Sequence, residues 1–249
     1  MNRFDGKVAL VSGFGSGIGQ AVAVLFASEG ARVLGLSRRL EAAEETLRMI
    51  RDVGTEATFV DGDVRSSGDV DRAMAETLQR YGTLDIAVNA AGIRQTGRAT
   101  DITPEQWDAV IETNLRGTFL VSRAAAAHMS AHGGGSIVNV SAISGFKGPS
   151  LRVAYGASKG AVHNLTEAMA LDYAREGVRV NCVAPGPTAT PMVGEITEDM
   201  RTAFGTRIPL GRVGQPEDVA EAIAFLASDA AKHITGAVLP VTGGAHLNV

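Results

Sequence analysis

The sequence predicts an α/β fold: a single doubly wound domain with a mostly parallel seven-stranded sheet between helices. Three observations lead there. Short, continuously apolar runs of the buried-strand type alternate with longer stretches of helical periodicity. The 249 residues, 45% hydrophobic and 20% charged, suffice for one core without disulfide or metal staples. Thirty glycines, about 12% against a usual ~7%, recur singly at the ends of apolar runs, where turns are tight and backbones approach closely. Right-handed crossovers then put helices on both faces of the sheet. No linker, repeat or low-complexity segment divides 1–249.

Element by element, Val8 to Val11 is the first strand. Ile18, Ala21, Val22, Leu25 and Phe26 then mark one helical face, which Gly30 ends. Val33 to Leu36, Ala57 to Val60 and Leu84 to Val88 are the next strands, separated by helices over Glu41 to Val53 and Gly68 to Tyr81. Thr103 and Pro104 open a helix as N-cap and N1, and its pattern runs on to about Ala131, where three glycines stop it. Ser136 to Ser141 is a strand, Val153 to Glu176 a helix and Val178 to Val183 a strand. A looser segment with short helical character follows Pro185-Gly186-Pro187. Pro216 to Ser228 closes as a helix and Ala237 to Val241 as the last strand.

Composition excludes several function classes. The formal charge of −4, from 23 basic and 27 acidic residues, speaks against a nucleic-acid surface. One cysteine, Cys182, leaves no intramolecular disulfide and no cysteine-based zinc site. No apolar run approaches the roughly 20 residues that span a bilayer, and Met1 to Gly6 is polar, so a cytoplasmic protein without membrane partner is expected.

The first strand-to-helix turn reads Gly13-Phe14-Gly15-Ser16-Gly17-Ile18-Gly19, a Gly-x3-Gly-x-Gly spacing rather than the strict G-x-G-x-x-G. Glycines there let backbone approach a pyrophosphate, and a helix N-terminus favours its charge. The second strand ends in Ser37-Arg38-Arg39, without the carboxylate that an NAD ribose recruits. Guanidinium groups grip a 2′-phosphate, so NADP(H) is favoured, with NAD(H) possible. The plain alternative is that both arginines are solvated surface charges.

Tyr155 and Lys159 stand four residues apart on the helix after strand five, where an ammonium favours tyrosinate. With the glycine turn, Asp63-Val64, Asn89-Ala90-Ala91-Gly92, Asn114 and Pro185-Gly186, all in order, the chain resembles the short-chain dehydrogenase/reductase family from Gly6 to about Gly244. The resemblance implies a Rossmann-type fold and an NAD(P)(H)-dependent exchange of secondary alcohol and ketone. By it, Tyr155 is the general acid/base, Lys159 holds the nicotinamide ribose, and Asn114 holds a water linking Lys159 to solvent. Asp63 and Val64 flank the adenine, Asn89, Ala90 and Gly92 support the cofactor's centre, and Thr188 and Thr190 lie near the carboxamide. A homotetramer is implied as well.

One position departs from the family. Its catalytic serine falls thirteen residues before the tyrosine, where this chain has Ala142 within Ser141-Ala142-Ile143-Ser144-Gly145. Loss of that hydroxyl costs about 2.7–4 kcal/mol of oxyanion stabilisation. Ser141 is a poor stand-in, because adjacent strand residues face opposite ways; Ser144 is a better one. Three accounts stand open: a Ser→Ala variant made to trap substrate, an enzyme using Ser144, or an impaired homologue.

Arg94 and Arg152 stand where the family borders its substrate pocket, and a carboxylate could bind there bidentately; surface arginines are the plain alternative. Residues 191–209, with Met192, Met200 and Phe204, would form a partly apolar lid. His128 and His132 read as a solvated helix end rather than a metal pair, and Cys182 as a small buried hydrophobe. Two other functions compete: a non-catalytic nucleotide-binding or regulatory protein, and a 3-oxoacyl-carrier reductase.

Overall fold

The computed structural model describes residues 2–194 and 197–248, with residues 198–202 and 248 described by backbone alone. Met1, Glu195, Ile196 and Val249, which fall within the expected domain and lid bounds, lie outside the described residues. Seven parallel strands form one sheet in the order β3-β2-β1-β4-β5-β6-β7. They are β1 (Val8–Ser12), β2 (Arg32–Ser37), β3 (Ala57–Asp61), β4 (Ile86–Asn89), β5 (Gly135–Val140), β6 (Val178–Pro185) and β7 (Val238–Val241). The expected sheet was mostly parallel; every strand pair is in fact parallel.

Alternation along β1 divides the core. Ala9 and Val11 pack on one face with α1 (Gly17–Ser28), α2 (Leu40–Asp52) and α8 (Pro216–Ala227). Val8 and Leu10 pack on the other with α3 (Ser67–Tyr81), α5 (Gly117–Ala131) and α6 (Val153–Tyr173). β1 is buried on both sides, which explains its unbroken apolar run.

The long helix expected from Pro104 to about Ala131 is not one regular helix. It is α4 (Pro104–Ile111), a π-helical turn at Glu112–Arg116, and α5. The wider turn inserts an extra residue without breaking the apolar pattern, so periodicity missed it. Likewise α6 stops at Tyr173, and a single 3-10 turn carries the chain to Glu176. The looser segment contains α7 (Glu198–Arg207). No helix among the described residues is long and apolar enough to cross a membrane.

Strand order reverses between β1 and β4, whose last residues, Ser12 and Asn89, are paired. In open parallel sheets this switch point, beyond the carboxyl ends, is where ligands bind.

Candidate active site

The glycine turn wraps the carboxyl end of β1. Gly13 has φ +72°, and a Cβ there would lie 2.7 Å from the Ala90 carbonyl carbon, so glycine alone fits. Ser16 is extended before α1, its side chain caps nothing, and no acid occupies the first turn. The first-turn amides therefore face any anion unopposed. Ile18 is half-buried behind them, and a Cβ on Gly17 would lie 3.2 Å from Thr190 Cγ2. Thr190 thus sits against the turn, while the Thr188 hydroxyl donates to the Gly186 carbonyl at 3.0 Å. Gly186, after Pro185, is tied to β7 through its amide and the Val241 carbonyl.

Arginines bracket the end of β2. Ser37 is buried, and its Oγ accepts from the Arg39 amide at 3.2 Å. The Arg39 guanidinium donates to Ser16 Oγ at 2.6 Å, and Arg38 pairs with Asp63 at 3.3 Å. Asp63 also accepts from the Arg65 side chain at 2.7 and 2.9 Å. Burial opposes its ionisation, but the hydrogen bonds from Arg65 and the charge of Arg38 outweigh that and hold the carboxyl below its ordinary value. Val64, beside it, packs against Gly117 at the start of α5.

Asn89 ends β4 and is buried. Its amide donates to Ser122 Oγ at 2.8 Å and to Asn139 Oδ1 at 2.9 Å, joining β4 to α5 and β5. It holds the strand on which half-buried Ala90 and Gly92 are presented.

Gly92 is where the catalytic candidates meet. A Cβ there would lie 3.3 Å from Asn114 Oδ1, 3.7 Å from Lys159 Nζ and 3.8 Å from Met192 Cε. Met192 is 40% exposed, so the residue expected in a lid faces both solvent and this centre. The π turn presents Asn114, whose side chain accepts from the Ile93 amide (2.8 Å) and donates to the Ile93 carbonyl (2.9 Å) and Ser158 Oγ (3.1 Å). Both donor hydrogens are engaged, leaving Oδ1 a lone pair for a further donor such as water.

Lys159 Nζ donates to the Val140 carbonyl at 2.8 Å and lies 5.7 Å from the centre of the Tyr155 ring. Burial brings its ammonium down to about 8. The Tyr155 phenol is pushed up by burial, while Arg152 and Arg94 pull it the other way. Burial is thus the largest influence on the phenol, and the two arginines oppose it.

Ala142 lies buried just beyond β5, ahead of a 3-10 turn at Ile143–Gly145. The Ser141 hydroxyl donates to the Lys159 carbonyl at 2.8 Å, a structural task that removes it as a substitute. Ser144 sits half-buried in the turn. Sequence reasoning missed His163, whose ring packs on Phe146 with centroids 4.6 Å apart, and Gln95, whose amide atoms are buried without a hydrogen-bond partner. Neither carries a local pattern: the fold puts His163 against the turn at Ile143–Gly145, and the burial of Gln95 is visible only in the structure. His128 and His132 stack at 4.1 Å at the end of α5, and Cys182 is buried in β6.

A family model described as enoyl-(acyl carrier protein) reductase matches residues 13–246. The chain is 43% identical to cis-4-hydroxycyclohexanecarboxylate dehydrogenase of Sinomonas cyclohexanicum, over 97% of each chain. The chain belongs to the short-chain dehydrogenase/reductase family. It is also 38% identical to a 3-oxoacyl-[acyl-carrier-protein] reductase of Thermotoga maritima, over 97% of this chain and 98% of that one. The crystal structure of levodione reductase superposes with a TM-score of 0.95 at 31% identity, covering 99% of this chain and 100% of that one. The family binds nicotinamide dinucleotides, and the uncapped start of α1, the glycine turn and the arginine-bracketed end of β2 fit such a group.

Proposed function

We propose that this short-chain dehydrogenase/reductase interconverts a secondary alcohol and a ketone, with NADP(H) favoured over NAD(H). The observation that carries the reading is the convergence of Lys159 and Asn114 on Gly92, with Tyr155 one helical turn before Lys159. When bound, the dinucleotide supplies the hydride acceptor or donor, which the side chains of the protein do not. Tyr155 Oη takes the alcohol's proton in oxidation and returns it to the carbonyl oxygen in reduction. Lys159 is held by Val140 beside that phenol and would bind the nicotinamide ribose. Asn114 keeps the Ile93 loop in place and offers Oδ1 to a water through which the proton passes to solvent.

Ser16, Ser37, Arg38 and Arg39 would hold the 2′-phosphate, and the absence of a carboxylate at Ser37 supports that preference. Arg39→Ala is expected to raise KM for NADP(H) about tenfold or more while barely moving that for NAD(H), since guanidinium–phosphate bonds are charge-assisted. Initial rates with both cofactors check this; equal losses for the two would remove the preference. The relative that oxidises a hydroxycyclohexanecarboxylate makes cyclic secondary alcohols the first substrates to screen.

Ala142 sustains a second reading, a cofactor-binding protein without turnover. Cofactor binding with no turnover in either the natural chain or Ala142→Ser would favour it. A 3-oxoacyl-carrier reductase is an alternative within the enzyme class, and the Thermotoga relative supports testing carrier-linked ketones. Exposed Trp107 and Phe119 on α4 and α5 and Leu171 on α6 support a homotetramer, checked by sedimentation. Cytoplasmic residence belongs to the same proposal.

A further inference from the structure

Two short segments meet on one side of Tyr155. The chain from Ile93 to Gly97 leaves the Gly92 centre, and Leu151–Arg152 leads into α6. They are joined where the Gly97 amide donates to the Leu151 carbonyl at 2.8 Å and Gly97 pairs with Arg152 in an isolated β-bridge. This junction brings Arg94 and Arg152 near Tyr155, and both guanidinium charges act on its phenol. Gln95 follows Arg94 in the same loop, with its Nε2 beside Gly97.

The three side chains share an unmet need. Arg94 and Arg152 are half-buried, yet neither has a carboxylate partner or a side-chain hydrogen bond among the described residues. Elsewhere Arg3, Arg38, Arg65, Arg72, Arg80 and Arg212 are each matched to Asp or Glu. The Gln95 amide has both its nitrogen and its oxygen buried without a partner. A buried amide left unpaired costs more than it returns unless something else completes it. Two unmatched cations near Tyr155 and an orphaned amide in the same loop describe a site built around an anion that the chain itself does not provide. A carboxylate suits it, because its two oxygens accept from forked guanidinium donors and from an amide together.

We infer that the substrate is a hydroxy acid or oxo acid, its carboxylate bound by Arg94 and Arg152 with Gln95 donating to it, a reading that rests on Tyr155 as the acid/base. Gln95 is then a specificity residue of the same pocket. The carboxylate fixes which carbon of the substrate faces the nicotinamide, and a neutral ketone lacks that anchor.

The test uses binding, so that it is separate from turnover. 4-Oxopentanoate and 3-oxocyclohexanecarboxylate, each beside its methyl ester, are titrated calorimetrically into the enzyme saturated with NADP+. At least one acid is expected to bind about tenfold or more tightly than its ester, the size expected of hydrogen bonds to charged groups. Arg94→Ala and Arg152→Ala each abolish that difference by weakening the acid far more than the ester, whereas Arg152→Lys restores part of it. Gln95→Ala weakens the acid and not the ester. No acid–ester difference in either pair, or equal weakening of acid and ester in the arginine variants, overturns the inference. If every acid that binds through the arginines fails to be reduced with NADPH, in the natural chain and in Ala142→Ser, the carboxylate site stands while the acid/base role of Tyr155 and the reading of the acid as substrate fall.

Discussion

We propose that position 142 limits how fast this site works. By the proposed function a methyl group stands at the position of a carbonyl-polarising hydroxyl, and the buried hydroxyl of the preceding residue, Ser141, is committed to the Lys159 backbone. Ala142→Ser is expected to raise kcat by at least about tenfold, a fraction of the effect of an oxyanion donor. An unchanged or lower rate would place the polarising group elsewhere, with Ser144 the next to replace. The state of Tyr155 sets the pH dependence. Burial raises its phenol above the ordinary value of 10.0, so the neutral, proton-donating form prevails near neutrality. Ketone reduction is therefore expected to hold up at neutral pH and fall on the alkaline side, while alcohol oxidation rises there. Initial-rate profiles in both directions check this, and parallel profiles would contradict it.

At the scale of elements, the π turn and the entry to α6 matter most. Strands were legible as unbroken apolar runs because both faces of this sheet are covered, and helices as 3.6-residue patterns. The π turn was not, because its extra residue leaves buried Val110, Thr113 and Asn114 in an apparently continuous helix. The role of Asn114 in pinning Ile93 was invisible for the same reason. Asn114→Ala leaves the buried Ile93 groups short of partners and is expected to cost about 1–3 kcal/mol, read by urea unfolding, with kcat falling as well. Leu151, just before α6, has φ +59° although it is not glycine, and its side chain is 50% exposed. A left-handed conformation costs a residue with a side chain about 1–2 kcal/mol, so Leu151→Gly is expected to stabilise the fold slightly. Loss of stability in that variant would show that the leucine contributes more by packing than its backbone costs.

For the whole molecule, the glycine-rich composition resolves into one end of one sheet. The cofactor end was readable because its residues follow strands in chain order: the Gly13 turn after β1, Arg38 after β2, Asp63 after β3 and Gly92 after β4. The substrate side was only half readable. Arg94 and Arg152 stood out by their place near the motifs, but His163 acquires meaning through its contact with Phe146 in another segment, and Gln95 through its burial. Folding also buries the Lys159 ammonium, lowering it from 10.5 to about 8. The unfolded chain then holds that proton to higher pH than the folded one, so this burial makes stability of the cofactor-free protein rise with pH from about 8. Burial of the Cys182 thiol, pushed up from 9.0 to about 12, opposes that rise above about 9. The full contribution of Lys159 is about 3 kcal/mol, and burial of Tyr155 and Tyr81 adds to the opposing sign above about 10. Lys159→Met should flatten the rise in a series of melting curves.

The central claim is that Tyr155 moves the proton while a bound dinucleotide moves the hydride. Its most direct test compares the natural chain with Tyr155→Phe for NADPH affinity and for reduction of the best ketone found. The expected result is unchanged cofactor binding with turnover reduced at least about a hundredfold. Turnover retained in Tyr155→Phe would contradict the account.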